Sequence, residues 1–143
     1  MRDRVRPPAA TAPAPTATDG AVQMLAILQR EGRLIDFLQE DLSMYDDAQI
    51  GAAVRNIHDG TRRALAEHVQ LEPIYQESEG SNVGVPAGFD TRAVRLSGDV
   101  AGEPPFKGTL RHRGWRVKSV DLPDQVNERG RPMIVAPAEV DID

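Results

Sequence analysis

The residues best suited to contact a charged partner lie in one short basic stretch of the sequence. Five side chains form it: Arg111, Arg113, Trp115, Arg116 and Lys118. Guanidinium and ammonium groups bind phosphates or acidic protein surfaces, and an indole ring stacks on nucleic-acid bases. These five residues are the candidate partner-binding site. The competing interpretation, which we favour for the tryptophan, places Trp115 in the core of a small sheet with the arginines on its solvated face.

No other spacing in the sequence is typical of catalysis or of metal binding. The three histidines, His58, His68 and His112, form neither an HExxH motif nor an i, i+4 pair. No serine lies in a GxSxG elbow, no cysteine is present, and the glycines match neither Walker A nor GxGxxG. We therefore expect no enzyme, cofactor or metal. An enzyme using scattered carboxylates and His112 is the least supported alternative. We expect His68 to be partly buried and His112 to lie at the surface.

Length and composition indicate one soluble globular domain of ordinary size. The chain has 143 residues, of which 40% are hydrophobic and 27% are charged, and its net charge is −5. It contains no apolar run near the roughly 20 residues of a membrane helix, and its first residues lack the apolar core of a secretory signal. The absence of cysteine fits a reducing compartment. The expected location is the cytoplasm.

The first half of the chain predicts a tail and three helices. Residues 1–18 are rich in proline, alanine and threonine, which predicts a disordered tail. A helix is predicted over 20–31 with Asp19 as its N-cap, and it is apolar nearly all round. A second, acidic helix is predicted over 33–42. Asp46 and a glutamine three residues later then predict a capping box for a third helix that ends near residue 69.

The second half predicts short strands. Glycine and proline recur between β-prone runs around residues 71–75, 82–85, 93–100, 106–112, 115–122 and 133–136. The clearest hairpin would turn at Arg113–Gly114, with a bulge near Ser119. Helices followed by strands indicate an α+β fold, a three-helix unit packed on a small C-terminal antiparallel sheet or barrel. We expect a helical subdomain over 19–70 and a β-rich subdomain over 71–143, sharing one core.

Charge is distributed unevenly along the chain. Residues 31–47 hold six acidic residues against one arginine, whereas residues 91–118 hold seven basic residues against two acidic ones. Such a bipolar molecule can self-associate or bind a charged protein. The helical half also has the outline of a helix-turn-helix, in which Arg55, Asn56 and Arg63 would enter the major groove. The acidic second helix and a pI near 5.2 oppose nucleic-acid binding.

The phrases EGRLIDFLQED and GTLRHRGW resemble a bacterial family known as domain of unknown function 2760, over about residues 21–142. The resemblance implies no established activity and no catalytic residues. It does imply a role beside Hsp70-like chaperones, with which such proteins are associated. We therefore expect a cytoplasmic protein-interaction module, accessory to an Hsp70-like ATPase and able to form a homo-oligomer. The alternative is a nucleic-acid-binding protein that uses the third helix or the basic hairpin.

Overall fold

Three helices precede four short strands in the computed structural model, which describes residues 16–123 and 133–143. The helices are α1 (Ala17–Gly32), α2 (Leu34–Gln39) and α3 (Asp47–His68), with a 3₁₀ turn at Leu42–Met44. The strands are β1 (Val69–Pro73), β2 (Asn82–Val85), β3 (Phe106–Thr109) and β4 (Trp115–Val120). The α+β prediction is confirmed. The described residues divide into a helical unit, which also contains residues 121–123 and 133–143, and a strand unit, Val69–Val120.

Helix α1 begins three residues earlier than predicted, because Thr16 rather than Asp19 is its N-cap. The Asp19 backbone N–H donates to Thr16 Oγ1 at 3.1 Å, and the Thr16 N–H donates to the Asp19 carboxylate at 2.7 Å. This reciprocal pair is a capping box with Asp19 at its third helical position. Ala17 and Thr18, predicted to lie in the disordered tail, are therefore helical. The rest of that predicted tail, residues 1–15, lies outside the described residues.

Helices α1 and α3 meet at two glycines. A Cβ atom on Gly60 would overlap the carbonyl oxygen of Glu31, and one on Gly32 would overlap the Thr61 side chain and backbone. The helices therefore touch backbone to backbone, which only glycine permits at these positions. Ile27 and Ala64 are the fully buried apolar side chains of this contact.

Polar contacts and a left-handed residue fix the remaining parts of the helical unit, at the start of α3, on α1 and before α2. The Asp46–Gln49 capping box is confirmed: the Gln49 N–H donates to Asp46 Oδ1 at 2.8 Å, and the Asp46 N–H donates to Gln49 Oε1 at 3.0 Å. Gln23, almost fully buried on α1, donates its side-chain amide to the Pro123 carbonyl oxygen. Helix α2 is shorter than the predicted 33–42, because Arg33 adopts the left-handed conformation before it and the extended Glu40 ends it after Gln39.

The strand unit contains two separate two-stranded antiparallel sheets, β1–β4 and β2–β3. The predicted hairpin is therefore wrong, since its two arms pair with different partners. Gly114 does adopt a positive φ of 71°, but the backbone there pairs with residues 74 and 75, which extends the β1–β4 ladder. The predicted strands near 93–100 and 133–136 are also wrong. Val85 and Leu110 are the buried side chains of this unit.

Candidate partner-binding surface

The β1–β4 pair presents one face made entirely of apolar residues. Pro73 pairs with Trp115, Leu71 with Val117 and Val69 with Val120. Residues directly opposite each other in a ladder share a face, as do alternate residues of one strand. All six side chains therefore lie on the same side of the sheet, which we call the apolar ribbon face.

A bulge in β4 creates this arrangement. Gln70 pairs with Ser119 whereas Leu71 pairs with Val117, so Lys118 is an extra residue in β4. Without it, the period of two would place Val120 on the opposite face from Val117. The bulge predicted near Ser119 is confirmed, and its consequence is a continuous apolar face.

The apolar ribbon face is largely open to solvent. The exposed fractions are 62% for Trp115, 56% for Val117 and 54% for Val120 on β4, and 40% for Leu71 on β1. The prediction that Trp115 is a core residue is therefore wrong. A two-stranded sheet has little surface on which to bury an indole, and the described residues leave most of this one uncovered. Contiguous exposed apolar surface of this kind typically marks an interaction site.

The opposite face of the same ribbon is polar. Glu72 lies across from Arg116, and Arg116 Nη1 is 3.6 Å from Glu72 Oε1. Both side chains are about half exposed, so this ion pair contributes little stability and leaves the guanidinium accessible. Among the described strands, β4 pairs only with β1, so its other edge carries backbone groups free to bond a further strand.

The remaining two predicted site residues lie elsewhere in the strand unit. Arg111 and Arg113 line an open cleft of about 1120 Å³, bordered by residues 91–100 and by β3. Arg113 donates to the carbonyl oxygens of Tyr75 and Gln76, at 3.2 and 3.1 Å, so it holds the end of the β1 ladder in place. Arg111 is exposed. The structure therefore splits the predicted site into a ribbon group, Trp115, Arg116 and Lys118, and a cleft pair.

Sequence reasoning missed the contribution of β1 to this surface. Val69, Leu71 and Pro73 alternate with Gln70 and Glu72, which is the period of a strand with one apolar face. A strand is predicted from residue 71, but its first residue, Val69, is predicted to end the third helix, so the full alternation is not used.

The histidine expectations are confirmed. His68 is half-buried, and its Nδ1 lies 2.9 Å from the Asp121 carbonyl oxygen. His112 is exposed, and its Nδ1 accepts a hydrogen bond from the Gly114 N–H at 3.1 Å. Within residues 16–123 and 133–143, no three histidine, aspartate or glutamate side chains converge on a possible metal position.

The residues of the helix-turn-helix alternative are exposed on α3: Arg55, Asn56 and Arg63. Acidic groups lie on the neighbouring α2. There Asp36 has its pKa lowered, first by a hydrogen bond with the Gln29 side chain and then by Arg33, so it stays ionised at neutral pH. No helix in the described part of the chain has the length and hydropathy needed to cross a membrane.

These features define a small α+β protein. Its helices pack closely at two glycines, and one face of its β1–β4 pair is exposed among the described residues. A family model described as "Domain of unknown function (DUF2760)" matches residues 17–141, which is most of the chain. The chain therefore belongs to that family, as its resemblance predicted. No curated protein and no solved structure matches it.

Proposed function

We propose that this protein binds another protein by accepting an extended segment as an added strand along β4. The exposure of Trp115 is the observation that carries the proposal. A large indole ring on an open sheet face, beside a strand edge that no described strand pairs with, combines the two elements of strand addition. The edge supplies main-chain hydrogen bonds, and the alternate side chains supply specificity.

The order of residues in β4 defines the partner's chemistry. Trp115 and Val117 flank Arg116, and Lys118 follows at the bulge. A complementary strand alternates apolar residues with acidic ones, because directly opposed residues interact across a ladder and opposite charges stabilise such pairs. Trp115 would be the energetic anchor, while the charges set register and exclude basic segments.

Intrinsic fluorescence tests this proposal directly, because Trp115 is the only tryptophan in the chain. The full chain is titrated with a synthetic peptide of alternating valine and aspartate, and with a valine–lysine peptide of the same length as the control. We expect a blue shift and saturation with the acidic peptide alone. If neither peptide changes the emission, or both change it equally, strand addition by charge and apolar pattern is wrong.

The nucleic-acid alternative is tested separately, by adding the chain to a fluorescently labelled duplex oligonucleotide and following the anisotropy of the label. Binding of a duplex oligonucleotide through α3 or the basic residues would fall steeply between about 50 and 200 mM salt, since phosphate contacts release counterions. We expect no saturable binding of the duplex at the higher salt. Tight, salt-sensitive duplex binding without any response to the acidic peptide would replace the protein-binding proposal.

An Hsp70-like ATPase is the cellular partner that we propose on the basis of the family resemblance. The supporting feature on this chain is general, namely an exposed apolar strand surface of the kind that marks protein interaction sites. A tagged pull-down at about 150 mM salt, a physiological ionic strength, with and without ATP, tests it. Stoichiometric recovery that depends on nucleotide supports this partner, and recovery of the protein alone rejects it. The cytoplasmic location stays a prediction.

A further inference from the structure

We propose that the added strand comes from a second copy of this chain, through the segment Glu139–Asp143, whose sequence is EVDID. This inference rests on the proposed function, since it identifies the occupant of the same β4 edge. Three observations carry it: the alternating pattern of the segment, its exposure, and its charge complementarity to β4.

The segment has the pattern that β4 requires. Val140 and Ile142 alternate with Glu139, Asp141 and Asp143, so an extended backbone places its apolar residues on one side and its carboxylates on the other. The segment is neither helical nor strand-paired, and Val140 and Ile142 are 76% and 88% exposed. None of the ion pairs among the described residues involves its three carboxylates.

The segment complements β4 in either strand direction. When Val117 faces Val140 in the antiparallel direction, Trp115 faces Ile142 and Arg116 faces Asp141. In the parallel direction, Trp115 faces Val140, while Arg116 again faces Asp141. In both directions the residue that meets Lys118 is also acidic, Glu139 or Asp143 respectively. Arg116 would then be flanked by Glu72 on β1 and Asp141 on the added strand, which its planar group with five N–H donors can accommodate.

A second copy is the source because each chain carries both halves of the contact in exposed form. The apolar ribbon face and the segment are each open to solvent in the single chain. Two copies can therefore exchange segments reciprocally, which gives two identical contacts and a closed dimer with twofold symmetry. Each contact alone is short, and the pair forms together because the first contact raises the effective concentration of the second. The family match ends at Asp141, so it covers the first three residues of the segment.

The experiment measures the mass of the full chain by sedimentation from about 1 μM to 1 mM, a range that covers weak to moderate affinities. Two charge reversals, Arg116→Glu and Asp141→Arg, are examined singly, combined in one chain, and as an equal mixture of the two single variants. We expect the native chain to dimerise, and each single variant to dissociate at least tenfold more readily. Both the double variant and the mixture should recover most of the lost affinity, because every contact between chains again joins opposite charges, although Arg116→Glu still faces Glu72 within its own chain.

Several outcomes overturn the inference. A chain that stays monomeric throughout, or a dimer unaffected by either reversal, shows that this segment is not the occupant. Rescue in the double variant but not in the mixture shows that the segment binds within its own chain. In each case the valine–aspartate titration decides the proposed function separately when it is done on Asp141→Arg, which keeps β4 intact but whose segment no longer competes for that edge. Circular dichroism of every variant verifies that the fold is retained.

Discussion

The α1–α3 contact and the apolar ribbon face differ in what happens to their apolar surface, which is buried at the first and exposed at the second. At the helix contact, Gly32 and Gly60 let two backbones touch, and Ile27 and Ala64 are excluded from water. On the ribbon, a bulge gathers six apolar residues onto one face and leaves most of it exposed. The first arrangement stabilises the fold, because burial of apolar area is the main favourable term in folding. The second arrangement does not contribute this free energy to folding, because its apolar area stays exposed, and such exposed apolar area is typical of interaction surfaces.

Gly60→Ala should produce the largest effect of the substitutions that test this contrast. The added methyl group would overlap the Glu31 carbonyl oxygen, so the helices must separate. We expect the free energy of unfolding to fall by about 2–3 kcal/mol, the upper part of the range for overpacking, because the added atom meets backbone that cannot rotate away. Urea unfolding followed by circular dichroism measures it.

Gly51→Ala is the matched control, because it lies on the same helix with nothing within 4 Å of an added Cβ. There alanine should raise stability by about 0.5–1 kcal/mol through its higher helix propensity. Equal effects of the two substitutions would mean that the glycine contact does not hold the helices together.

Trp115→Ser tests the other region. Since 62% of Trp115 is exposed, its removal should lower the free energy of unfolding by only about 1 kcal/mol, a fraction of the value for a fully buried side chain. Self-association should nevertheless weaken tenfold or more, because aromatic anchors dominate interfaces. Sedimentation and urea unfolding give the two quantities. A stability loss as large as that of Gly60→Ala, with unchanged self-association, would make Trp115 a structural residue.

Thr61→Val tests the packing of the α1–α3 contact and should change the stability by less than Gly60→Ala does. The Thr61 hydroxyl is buried against Gly32 and has no hydrogen-bond partner among the described residues. Replacing an unsatisfied buried hydroxyl by a methyl group should stabilise the protein by about 0.5–1 kcal/mol. Thr61→Ser, which keeps the hydroxyl and removes the methyl group, should do the opposite. Destabilisation by valine in thermal unfolding would show that the hydroxyl is bonded in solution.

The smallest expected effect concerns pH at Asp90 in the strand unit. Hydrogen bonds from the Arg92 side chain and backbone N–H lower the pKa of Asp90, and the charges of Arg92 and Arg116 act in the same direction. A carboxyl whose pKa is lower in the folded state contributes stability above its unfolded pKa and loses it as pH falls. We therefore expect a slight loss of stability below about pH 4 that Asp90→Asn makes smaller. An unchanged acid slope in Asp90→Asn would contradict this assignment.

Local signals predicted the helices well and the strand pairing poorly. The Asp46–Gln49 capping box lies within four residues of sequence, so the start of α3 could be located from sequence alone. The start of α1 was misplaced because Thr16 follows a proline-rich run that resembles a tail. The turn at Arg113–Gly114 has the composition of a hairpin, yet strand pairing is a choice among distant segments, and β4 selects β1.

The sequence by itself determined the helical periods, the capping box of α3, the need for a bulge in β4 and the unequal distribution of charge. Each depends on residues close together in the chain, where backbone geometry and side-chain chemistry act directly. Only the tertiary structure decided which glycines meet between α1 and α3, that β1 completes the apolar ribbon face, and that Trp115 remains exposed. These properties depend on which distant segments come together, because the burial of a side chain is set by its neighbours in space and not by its own hydrophobicity.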